Sequence, residues 1–227
     1  MSFPVTFMPL TIQSLIAQCV NQTIRRYYPQ QYCSLCHVYA VVGANLISIV
    51  LDRVYRPVAG LAAVDCGGGQ LMRMVDNDAF ANPAGGAYHC WIESADGLGE
   101  PDVVDLTFRH NHTYAERNGF VWGKETPPDY LWGPRSKLVV PAALDALPSA
   151  FPDGMVWLQE TEQGWQWMTD QLAEHQNAFV ALTAEALKLL QASLPPDSRL
   201  LAQHAPAPAR PAVTINSAPA SVPVPAC

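Results

Sequence analysis

The chain has 227 residues, nearly half of them hydrophobic and only 15% charged, with a net charge of −7. That length accommodates one sizeable core, and the acidic balance argues against sequence-independent nucleic-acid binding, which needs a basic face. No apolar run is long or unbroken enough to span a bilayer, so no membrane partner is expected.

The first ten residues lack a positive n-region, and Pro4 and Pro9 break their apolar run. They do not resemble a secretory leader, so a cytoplasmic protein is expected, with its six cysteines mostly reduced. Over 11–26, Ile12, Leu15, Ile16, Cys19, Val20 and Ile24 form one apolar stripe at helical spacing, closed by Arg25, Arg26 and Pro29. A Gln-rich turn leads to Cys33-Ser-Leu-Cys36-His37, and from Cys36 to about residue 53 the chain is uniformly apolar, which predicts a buried central helix.

After Pro57 the texture changes. Short β-branched or aromatic runs at 58–65, 70–75, 88–94 and 102–107 are separated by glycine-rich turns, which predicts an antiparallel sheet. Residues 108–152 read as a loop-rich wrap with one helix near 141–147, followed by a last strand at 155–160 and helices at 165–176 and 177–194. From Pro195 the composition collapses to Ala, Pro, Val and Ser, the signature of a disordered tail. The expected organisation is one α+β domain over 1–194 and a tail over 195–227.

Cys33-Ser-Leu-Cys36-His37 has several meanings. Cys-x-x-Cys-His is a haem-attachment pattern, and Cys-x-x-Cys alone suggests a redox pair or half of a zinc site. Both cysteines also suit buried small hydrophobes. The remaining meaning is a nucleophile at the start of a helix, where the positive end can lower a thiol pKa from about 8.5 to roughly 3.5–7.5. Two downstream features favour it. His89 lies on a predicted strand, a rigid mount for a general base, and Asp105 lies on the next one. If those strands pair through the turn at 96–99, the carboxylate reaches the imidazole and fixes its tautomer.

Cys36-x-x-x-Ala40 opening a helix, Arg56-Pro-Val-Ala-Gly60, His89-x-Trp91-Ile-Glu93 and Val104-Asp105-Leu-Thr107 together resemble the transglutaminase-like branch of the papain-like cysteine protease fold. The resemblance covers roughly residues 30–110 and extends to small bacterial proteins of that superfamily. It implies a central helix packed on an antiparallel sheet, a Cys36–His89–Asp105 triad, and hydrolysis or transfer at a peptide or small amide or ester substrate without metal or cofactor. A local similarity to the papain signature implies that Gln30, six residues before Cys36, helps form the oxyanion hole. It also implies a Cys33 disulfide, for which Cys66 is the available partner. Trp91 and Glu93 are expected near the substrate, Trp91 equally as a core residue. His37 is expected either to contact substrate or to be solvated. His110 and His112 read as loop histidines with no third metal ligand nearby.

Overall fold

The computed structural model describes residues 11–76, 78–81 and 87–194. The first ten residues, the turn expected at 82–86 and the tail expected at 195–227 lie outside those residues.

Helix α1 spans Ile12–Tyr27, and the Thr11 hydroxyl caps it by accepting from Ser14 N at 3.1 Å. Of the predicted stripe, Ile16, Cys19, Val20 and Ile24 are buried and Ile12 and Leu15 half-buried, with Ala17, Asn21 and Thr23 buried beside them. A 3-10 turn at Tyr32–Ser34 then delivers the chain to α2, Cys36–Leu51. Twelve of its sixteen residues are buried, so α2 is apolar all round and can exist only inside the protein. It stops at Asp52, which takes the left-handed conformation with φ of 52°.

Strand β1, Tyr55–Gly67, is longer than predicted and carries Pro57 within it. It pairs antiparallel with β3 (His89–Ser94) over residues 55–60, with β2 (Gln70–Met74) over 62–67, and with β6 (Trp157–Glu160) over 60–63. Pro57 lies before β6 begins to pair, where a backbone nitrogen without a hydrogen costs no ladder bond. The sheet continues through β4 (Asp102–Asp105) to β5 (Leu131–Pro134). Two short helices, α3 (Asn111–Arg117) and α4 (Arg135–Leu138), flank β5. The helix expected near 141–147 is a single 3-10 turn, Leu144–Ala146. The chain closes with α5 (Glu162–Glu174) and α6 (Gln176–Ser193).

The architecture is α+β, with a curled antiparallel sheet. Helices α1, α2 and α6 share one core cluster with Cys90, Ile92, Val104 and Leu106 from the sheet. Val58, Trp91, Val103 and Phe108 belong to a second cluster with Leu131 and Leu158, so the sheet buries both faces.

Candidate active site

Cys36 is the first residue of α2 and is 6% exposed. Leu35 occupies the cap position and offers no side-chain acceptor, so α2 opens without a side-chain cap. In the paired strands Ile92 faces Val104 and Glu93 faces Val103. Continuing that register sets Trp91 opposite Asp105, and His89, two residues away on the same face, lies diagonal to the carboxylate. The ring answers to this geometry: His89 Nε2 and Asp105 Oδ2 are 2.9 Å apart, with both residues buried.

Asp105 ends β4 by turning the chain with its own side chain. Its Oδ1 accepts from Thr107 N at 2.8 Å and from the Thr107 hydroxyl at 2.6 Å, an Asx turn that curls the backbone out of the strand two residues before the predicted end. Burial pushes the Asp105 carboxyl up, but the imidazole of His89 and the two Thr107 bonds outweigh it and hold it below the usual range. An ionised Asp105 fixes the His89 proton on Nε2 and leaves Nδ1 as the acceptor nitrogen.

Cys36 and His89 line one small cavity of about 20 Å³, room for a single small group, together with Cys33, Thr107, His110 and Asn111. His89 points to the face away from α2. As the first residue of its strand it lies at the end of the sheet and lines the same cavity as Cys36.

No family model matches the chain, and no curated protein matches it. Among solved structures it is similar to a crystal structure described only as a genomics target, at 15% identity, with a TM-score of 0.53, over 88% of this chain and 86% of the other. The likeness reaches the fold alone.

His110 and His112, expected as loop histidines, lie instead in the 3-10 turn Phe108–His110 and in α3, and His110 is a wall of this cavity. The Tyr39 hydroxyl donates to Asn21 Oδ1 at 2.7 Å, so the 3.3 Å contact between Tyr39 and His110 Nε2 needs the histidine to donate. Burial, helped by Arg109, pushes His110 down to about 4 and keeps it neutral. Asn111 follows it, 5% exposed. The signal for both was their place just after the Asp105–Thr107 turn, which brings whatever comes next to the mouth of the cavity.

Other expected site residues lie elsewhere. Gln30 is exposed in the turn before the 3-10 segment and is not on the cavity wall. His37 is neither solvated nor in the cavity: it is fully buried with its ring edge-on to Trp167 at 5.6 Å. Glu93 is buried in a polar tie, accepting from Trp91 Nε1 at 2.8 Å and pairing with Arg135 and Arg56. Trp91 is buried in the second core and stacks near His89, ring centroids 6.4 Å apart, where it braces the imidazole from beside the cavity. Cys33 and Cys66 form no disulfide. Cys33 instead accepts from Arg117 Nη1 at 2.8 Å, and Cys66 is buried in the second core.

Among the described residues no three or more His, Cys, Asp or Glu side chains are grouped to hold a metal ion. Cys33 and Cys36 share the cavity wall while His37 does not, so the Cys-x-x-Cys-His run does not converge on one point. No helix among the described residues is long and apolar enough to cross a membrane.

Proposed function

We infer that this protein is a cysteine hydrolase or acyltransferase, related to the transglutaminase-like branch of the papain-like fold and acting on a peptide or small amide or ester. The observation that carries this reading is the buried His89–Asp105 hydrogen bond beside a helix-opening cysteine on the same cavity wall. A strand histidine held only for packing needs no carboxylate, and a carboxylate needs no second brace from Thr107.

In the proposed reaction His89 Nδ1 takes the Cys36 proton, and the start of α2 favours the resulting thiolate. The sulfur attacks the substrate carbonyl carbon and forms a C–S bond, while the carbonyl electron pair moves to oxygen. The Cys36 backbone N–H is one donor to that oxyanion. On collapse the C–N or C–O bond breaks and His89 returns its proton to the leaving group. Water or an amine, deprotonated by His89, then attacks the thioester and releases Cys36.

p-Nitrophenyl acetate tests the chemistry without knowledge of the natural substrate. Acetylation at Cys36, detected by peptide mass spectrometry, is expected in the parent protein and absent in Cys36→Ala. His89→Ala and Asp105→Ala are expected to slow it by about 10²–10⁴-fold and less, respectively. Iodoacetamide supplies the second arm. The Cys36 alkylation rate is expected to stay high below pH 7 in the parent and to fall about tenfold per pH unit in His89→Ala. Identical pH profiles in the two proteins would remove the ion pair on which the mechanism depends.

A further inference from the structure

With Gln30 exposed, the proposed reaction lacks the side-chain donor that the papain signature implied. Several donors on the cavity wall are already committed. The Thr107 hydroxyl donates to Asp105, the His89 Nε2 hydrogen goes to the same carboxylate, and the His110 Nε2 hydrogen goes to Tyr39. Asn111 differs. It lines the same cavity, is 95% buried, and its Nδ2 has no hydrogen-bond partner among the described residues. A buried amide nitrogen without an acceptor is costly, and the cavity that Asn111 lines, about 20 Å³, admits one oxygen-sized group.

We propose that Asn111 is the second oxyanion-hole donor: its Nδ2–H₂ group binds the substrate carbonyl oxygen as negative charge develops there, opposite the backbone N–H of Cys36. The vacant donor then serves a purpose. It is enclosed by protein before substrate arrives, and preorganised donors in enclosed sites act most strongly on developing charge. The preceding residue supports the aim. His110, anchored through Tyr39 to Asn21 of α1, fixes the backbone from which Asn111 projects. The ligand class follows: an acyl group whose carbonyl oxygen enters the cavity first, with the remainder of the substrate outside it.

This inference rests on the acyl-transfer reading, and two probes separate them. p-Nitrophenyl acetate reacts by addition to a carbonyl: the Cys36–acetyl C–S bond forms, an oxyanion develops, and p-nitrophenolate leaves with the C–O electron pair. Iodoacetamide reacts with the same thiolate by displacement of iodide at a methylene carbon, with no oxyanion. Asn111→Ala and the size-conserving Asn111→Leu are therefore expected to acetylate Cys36 about 10²–10³-fold more slowly. Their iodoacetamide rates are expected to stay within about twofold of the parent. Asn111→Leu leaves no empty space, so it keeps the test open if Asn111→Ala unfolds. Unchanged acetylation in the variants overturns the role of Asn111 and leaves the triad standing. A parallel fall in both rates overturns it too, because Asn111 would then be supporting the thiolate or the fold. No acetylation of Cys36 in the parent overturns both readings.

Discussion

His37 shows at single-residue scale how one position along a helix changes a side chain's fate. Successive residues of α2 point about 100° apart, so the residue after Cys36 turns away from the cavity and into the space that α5 and α6 fill. Sequence could place His37 in the first turn of a helix but could not show that Trp167 arrives from more than a hundred residues away to cover it. Both of its ring nitrogens are buried without hydrogen-bond partners among the described residues. Burial, and secondarily His175, pushes it down to about 4 from the ordinary 6.5. The folded protein thus binds fewer protons here than the unfolded chain, and stability is lost as pH falls from 6.5 towards 4. The shift corresponds to about 3 kcal/mol at the acid end. His37→Phe, which keeps an aromatic edge against Trp167, is expected to flatten the dependence of Tm on pH across this window and to raise Tm at pH 5. His110, also held near 4, keeps its own share of the slope in that variant. An unchanged slope in a thermal-unfolding series would assign the acid sensitivity to other groups.

Whole elements depend on contacts where a single Cβ is too much. An alanine Cβ at Gly60 would lie 2.1 Å from Gln159 O of β6, and one at Gly164 would lie 2.2 Å from Ala59 O of β1. These neighbouring points of β1 pin β6 and the first turn of α5 to the centre of the sheet. Thr161 completes the join, its hydroxyl accepting from Gly164 N at 3.0 Å as the cap of α5. Gly60→Ala pushes against backbone that cannot turn aside and is expected to cost about 3 kcal/mol or more. Thr161→Ala removes one cap bond and is expected to cost about 1 kcal/mol. Chemical denaturation of the two variants checks the order, and a Thr161→Ala loss equal to that of Gly60→Ala would contradict the close approach. The helices α1 and α2 were legible because one apolar stripe and one continuous apolar run determine them locally. The start of α5, expected at Trp165, lies three residues earlier at Glu162, where the Thr161 hydroxyl caps the helix. The early end of β4 was hidden for a related reason, since Asp105 and Thr107 look like strand residues until their side chains bond to each other.

At the scale of the molecule, the candidate site and the wrap after it are held by different physics. Cys36, His89 and Asp105 fall within seventy residues, and a helix start followed by two neighbouring strands led the sequence to suggest that they share one end of the sheet. Within the stretch from 118 to 156, β5 pairs with β4, while the segments around residues 123 and 151 are also tied by polar contacts to distant residues that no local pattern announces. Asp65 of β1 is their hub. Its Oδ2 accepts from Phe151 N at 2.9 Å and pairs with Lys124 Nζ at 2.9 Å, while Oδ1 accepts from Gly67 N at 2.8 Å. Next to it, Gly123 N donates to Cys66 O at 2.7 Å. Burial pushes the Asp65 carboxyl up, but Lys124 and the two backbone N–H groups outweigh it and hold the carboxyl below its ordinary 3.8. Its contribution is therefore present at neutral pH and is lost as pH falls below about 4 through the lowered value. Asp65→Ala leaves Phe151 N–H buried without an acceptor and Lys124 without its buried partner, and is expected to cost about 3–5 kcal/mol. Asp65→Asn keeps an acceptor and is expected to cost less. Because the ties fasten the wrap rather than the candidate site, limited proteolysis at neutral pH is expected to cut Asp65→Ala faster between residues 121 and 153. Alkylation of Cys36 under the same conditions should keep the parent rate. Equal cleavage of parent and variant would show that the wrap is held by its apolar contacts alone. A fall in Cys36 alkylation together with faster cleavage would show that wrap and site unfold as one unit.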